Sequence, residues 1–106
     1  MRALRDFDEF VRSGTVRRRR PDPARARSLI SEAEHRRTFL RELVQKIPIS
    51  EENANYFVEG AYDVLISLVR AKLLADGFSS SGEGAHEAEV AYMRKGRIGI
   101  LTISII

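Results

Sequence analysis

The side chains that could do chemistry are few. The chain of 106 residues holds two histidines and no cysteine. Thiolate zinc sites, disulfides and a cysteine nucleophile are therefore excluded. There is no His-Glu-x-x-His, no Gly-x-Ser-x-Gly and no paired-carboxylate motif, so the usual signatures of metal-assisted or nucleophilic hydrolysis are missing. His35 falls opposite the apolar stripe of its helical segment and reads as a solvated surface residue. His86 lies near Glu83 and Glu89 and reads as a local capping contact. One histidine with nearby acids is a poor metal set, and no metal or cofactor is expected. General acid–base work would have to use His86 with Arg70 or Asp63, which the sequence alone does not bring together. Glu59, Asp63, Ser67 and Arg70 form a polar stripe at i, i+4, i+8 and i+11. Such a stripe is either an intrahelical charge set at a bundle edge or the lining of a cleft or dimer seam.

The second chemical feature is cationic. Fifteen of the eighteen basic residues are arginine, and Arg12 to Arg27 contains seven arginines against the single acid Asp22. Arg17, Arg18, Arg19 and Arg20 are consecutive, and Arg25 follows. The planar guanidinium fork suits phosphate and carboxylate. This segment reads as a solvated connector, as a phosphate-contacting patch for RNA or DNA, or as a dock for an acidic protein. No aromatic residue is interleaved, so a base-stacking platform is not indicated. The net charge of +3 divides into about +6 over residues 1–49 and −3 over residues 50–106.

These residues must be positioned by one small domain, because a chain this long supports a modest single core. Apolar residues at 43% and charged residues at 31% describe a globular protein rather than a disordered one. No run reaches the roughly 20 apolar residues that cross a bilayer. Met1 to Val11 alternates charge with single apolar residues, unlike a secretory leader, so the expected compartment is the cytoplasm.

Ala3 to Arg12 reads as a short amphipathic helix stopped by Gly14. Thr15 to Pro21 is the basic connector. Asp22-Pro23 opens a second helix, with Asp as N-cap and Pro at the first position. It runs to about Lys46, with Leu29, Ile30, Ala33, Leu40, Leu43, Val44 and Ile47 on one face, and Pro48 ends it. Arg36 falls inside this stripe, so its stem should pack while its head snorkels or meets a carboxylate. Ser50 is expected to cap a third helix that ends near Asp76 at Gly77. Its middle, Ala61 to Arg70, is apolar nearly all round, so it should be buried by the bundle or by another subunit. Phe78 to Gly84 is a serine- and glycine-rich loop without P-loop character. A fourth helix covers Ala85 to Lys95 with Val90 and Met93 inward, and Gly96 interrupts it. Ile98 to Ile106 is uncharged and β-branched, hence strand-like, with Arg94, Lys95 and Arg97 just before it.

From Asp22 onward the pattern resembles a small prokaryotic HEPN-domain protein. The resemblance rests on Asp22-Pro-Ala-Arg-Ala-Arg-Ser-Leu-Ile30, Glu59-Gly-Ala-Tyr-Asp-Val-Leu65, Val69-Arg-Ala-Lys-Leu-Leu-Ala-Asp-Gly77 and His86-Glu-Ala-Glu-Val-Ala-Tyr-Met93. It covers residues 22–95. It implies an all-α, up-and-down helical bundle that commonly dimerises and works beside a nucleotidyltransferase, often in toxin–antitoxin pairs. Catalytic members are ribonucleases with Arg and His separated by four to six residues near the last helix. That element is absent here. No histidine follows Arg94, and Arg27 and His35 have seven residues between them in the wrong helix. The Ile-rich ending departs from the family's fourth helix. It reads as a truncated or frameshifted end, or as a short variant completed by the N-terminal helix or a second subunit. A homodimer is expected, because a broad apolar face is rarely left open.

Three functions follow as expectations. The first is a non-catalytic HEPN-like module that binds a nucleotide or a nucleotidyltransferase-type partner through Glu59, Asp63, Arg70 and His86. The second is a nucleic-acid-binding accessory protein using Arg17 to Arg20 and Arg25. The third is a degenerate HEPN ribonuclease toxin.

Overall fold

A computed structural model describes residues 5–96. Ala3 and Leu4, expected in the first helical turn, and the tail Ile98–Ile106 lie outside the described residues. Among those described, four helices and a two-stranded ribbon follow one another: α1 (Phe7–Ser13), β1 (Val16–Arg18), α2 (Pro23–Lys46), α3 (Ala54–Asp76), β2 (Phe78–Ser80) and α4 (Ala85–Gly96). The chain is thus mainly helical, as its periodicity predicts.

Local chemistry sets most boundaries. The side chain of Asp6 caps α1 by accepting from the Glu9 N–H at 3.0 Å. Asp22 caps α2 in the same way, accepting from Arg25 N–H at 3.0 Å. The end of α3 is a glycine stop. Gly77 adopts φ +92°, and its N–H donates back to the last turn of the helix. The start of α3 differs from expectation. Ser50 is not the cap; Asn53 is, and its carboxamide oxygen instead accepts from the Ser50 N–H at 2.8 Å. The carboxamide is used to fold the turn before the helix, so α3 begins three residues later than a Ser50 cap would place it.

α2 and α3 form an antiparallel hairpin. Asp22 N–H donates to Leu74 O at one end, Arg36 reaches Asp63 further along, and Gly60 faces Leu40 beyond that. Gly60 allows the close approach, since a Cβ there would lie 2.8 Å from Leu40 Cδ2. The core is concentrated at the C-terminal end of α3. Val69 and Leu73 pack with Phe7 and Phe10 of α1, Val16 of β1, and Ala88, Ala91 and Tyr92 of α4. A smaller cluster joins Ala26 of α2 to Ala71 and Leu74.

Several expected features are corrected. The basic connector and the Ser/Gly loop are not independent coils. β1 and β2 pair antiparallel, with Val16 opposite Ser80 and Arg18 opposite Phe78. Both segments cross the end of α3, where backbone groups screened from water need partners. Three-residue strands are too short to declare themselves by periodicity. Second, α2 buries less than its stripe suggests. Ala33 is buried, but Ile30, Val44 and Ile47 are exposed at 39%, 40% and 47%. α1 and α4 pack over the C-terminal end of α3, so nothing among the described residues covers Val44 and Ile47 at the far end of the hairpin. The same asymmetry divides α3, whose C-terminal half is buried while Tyr56, Val58 and Tyr62 are exposed. In α4, Val90 is exposed and Ala88, Ala91 and Tyr92 face the core instead. No described helix is long and apolar enough to cross a membrane.

Candidate functional site

The end of α3, the start of α2 and the ribbon meet around one cavity of about 240 Å³. Arg19 enters it from the residue after β1. Arg25 enters from the first turn of α2, and Arg70 from α3. Leu29, Leu73, Leu74 and Phe78 supply apolar wall, while Ser79 and Ser80 contribute hydroxyls. No acidic residue lines it.

The ribbon accounts for this convergence. Arg19 N–H donates to Gly77 O at 2.9 Å, and Asp22 N–H donates to Leu74 O at 2.9 Å. These two bonds clamp the segment between β1 and α2 onto the end of α3. Arg19 and Arg25 are thereby brought beside Arg70, some fifty residues away in sequence. Two of the three guanidinium groups have carboxylate neighbours. Arg19 lies 3.6 Å from Asp22, and Arg70 donates from Nε to Glu89 at 2.6 Å. Arg25 has no ion-pair partner among the described residues.

Glu89 organises the far side. It is 0% exposed, the one fully buried charged residue among those described. Its Oε2 accepts from Arg70 and from Ser80 Oγ at 3.4 Å. His86 Nδ1 lies 3.2 Å from Oε1, close enough for an ion contact. That approach lacks hydrogen-bond alignment, so Oε1 has no hydrogen-bond donor among the described residues. A buried carboxylate needs a counter-charge and donors, and Arg70 supplies the main one.

The residues singled out from the sequence therefore separate into groups. Arg70 and His86 do come together, on Glu89. Glu59 and Asp63 do not join that pair, and along α3 they lie about 10–16 Å from Arg70 at 1.5 Å per residue. Asp63 pairs with Arg36 at 3.6 Å, so the arginine inside the α2 stripe meets a carboxylate. Glu59 is exposed with no side-chain partner among the described residues. Of the basic run, Arg19 and Arg25 line the cavity. Arg17 and Arg20 are exposed, and Arg18 lies over the Phe78 ring at 5.4 Å from its centroid. His35 is exposed.

The sequence names Glu89 only as a neighbour of His86; its burial and its pairing with Arg70 are what sequence reasoning missed. A helix face of Ala85, Ala88 and Tyr92 with one glutamate beside it was the available signal. So was Arg70, the single arginine of α3. Chemically, the arrangement offers guanidinium forks and hydroxyls to an anion. Among the described residues no group of three His, Asp or Glu side chains could hold a metal ion. No family model, no curated protein and no solved structure matches this chain.

Proposed function

We propose that the chain is a non-catalytic helical binding module that takes backbone phosphates of RNA between Arg19, Arg25 and Arg70. The observation that carries this reading is the meeting of three arginines from three separate elements on one small cavity. Guanidinium groups donate in pairs to phosphate oxygens, and Ser79 and Ser80 add hydroxyl donors beside them. Ligand pockets that enclose whole small molecules run from about 300 to 1,000 Å³. This cavity is smaller, so it suits a phosphate and part of its sugar better than an enclosed nucleotide. Arg17 and Arg20 are exposed near the same ribbon and extend the positive surface for neighbouring phosphates. The Glu89–Arg70 pair serves this role by fixing the Arg70 side chain before ligand arrives. On the HEPN resemblance, the module acts as a homodimer beside a nucleotidyltransferase-type protein.

The test is binding of a labelled single-stranded RNA, followed by anisotropy across a salt series. The double variant Arg19→Ala/Arg25→Ala should weaken binding roughly tenfold or more. It should also flatten the dependence of log affinity on log salt by about 0.7 per lost contact. Unchanged affinity in this variant refutes the reading. Tight binding of a free nucleotide with no RNA binding refutes the choice of RNA.

A further inference from the structure

A second concave surface lies on the other half of the α2–α3 hairpin, away from the arginine cavity. Its volume is about 610 Å³. Leu40 and Val44 of α2 and Phe57, Ala61 and Val64 of α3 form an apolar floor. Arg37, Arg41 and Gln45 stand along its α2 side, and no acid lines it. Neither Arg37 nor Arg41 has an ion-pair partner among the described residues. The Nε of Arg37 is buried and has no hydrogen-bond acceptor there. An unpaired buried donor on a charged group is costly, and its guanidinium has no counter-charge among the described residues.

We infer that this groove docks an acidic amphipathic helix from a partner protein. Three features define the occupant. The floor is apolar and lies between two helices, the geometry that receives a third helix by its apolar side. From Arg37 to Gln45 the groove is about 12 Å long, or roughly two helical turns, which fits anchors at i, i+3 or i+4, and i+7. The two arginines on one edge then require acidic residues flanking those anchors.

Other occupants fit less well. A second copy docking groove to groove would place Arg37 and Arg41 of both copies in one seam, because a twofold contact is self-complementary and this lining holds no acid. The segment Ile98–Ile106 carries no acidic side chain to meet the arginines.

The experiment uses the full chain and two synthetic helical peptides with identical leucine anchors. One carries glutamates beside the anchors and the other carries lysines. Fluorescence anisotropy should show saturable binding of the acidic peptide and at least roughly tenfold weaker binding of the basic one. The variant Arg37→Glu/Arg41→Glu should reverse that preference. This reversal is a gain of binding, so a misfolded variant cannot mimic it. Equal binding of both peptides overturns the inference, as does absence of binding to either. Sedimentation showing a dimer broken by Val44→Asp would assign the groove to a second copy and overturn it as well. None of these outcomes depends on the arginine cavity, since the groove shares no lining residue with it.

Discussion

Arg70→Leu should cost this domain a large part of its stability. The reason lies in Glu89, which is 0% exposed and takes its shortest hydrogen bond, 2.6 Å, from Arg70 Nε. Removing one partner of a buried ion pair costs about 3–5 kcal/mol, because the other charge stays buried and uncompensated. The Arg70 side chain is 46% exposed, so water screens one side of the pair. His86 and Ser80 also remain near the carboxylate. The lower figure of about 2–3 kcal/mol is therefore the expectation. For a domain of this size, each kcal/mol moves the melting midpoint by roughly 4–8 °C. The variant should melt about 10–20 °C lower, followed by far-UV circular dichroism with a parallel urea titration. The double variant Arg70→Leu/Glu89→Leu should regain most of the loss, because a buried pair replaced by apolar residues of similar volume is often neutral. Two results would refute the reasoning. One is a loss under about 0.5 kcal/mol for Arg70→Leu, the value of a surface pair. The other is a double variant no more stable than the single.

Two further predictions concern the elements around this pair. Lys95 donates to Asp8 at 2.9 Å, and that hydrogen bond and charge hold the Asp8 carboxyl below its usual value of 3.8. A lowered carboxylate pKa adds stability above the unfolded value and loses it as pH falls through the folded one. Lys95→Met should therefore be less stable than the natural chain near neutrality, and the gap should close below about pH 3.8; a gap of equal size at every pH in thermal melts would contradict the pairing. Gly77→Ala should lower the melting midpoint by about 10 °C, because φ +92° costs an L residue roughly 1–2 kcal/mol and the new Cβ would sit 3.0 Å from Arg19 O. A shift within about 3 °C would show that the ribbon yields easily.

The helices were legible because their signals are local. Asp22-Pro23, the Gly14 and Gly77 stops, and the apolar run of α3 each act within a turn or two of sequence. The ribbon was not legible, since its two halves are about sixty residues apart and each is three residues long. Direction of burial was the other failure. The α2 stripe is real, yet which half of it is covered depends on where α1 and α4 land. Val90 was expected inside for its hydrophobicity, while the core at that point has room for Ala88 and Ala91. The space goes to Tyr92, whose hydroxyl donates to Asp76, and to Glu89. Sequence reading named Arg70, His86, Arg19 and Arg25 but assigned them to two separate sites. Only the crossing of the ribbon over α3 places Arg19 and Arg25 beside Arg70.

That crossing links stability to recognition. The hydrogen bonds from Arg19 and Asp22 to the end of α3 hold the interelement segment in place whether or not ligand is present. Asp22 at once caps α2, anchors to Leu74 and lies beside Arg19. Arg70 is at once the counter-charge of a buried glutamate and a wall of the cavity. Groups that already balance a fold lose little freedom when an anion arrives, so the ordering cost of binding is met during folding. The opposite half of the hairpin lacks such a balance. There Arg37 has a buried donor without an acceptor and the helices leave apolar surface open. On the proposed reading one end of the hairpin is closed and holds its arginines ready for a phosphate, while the other leaves apolar surface open.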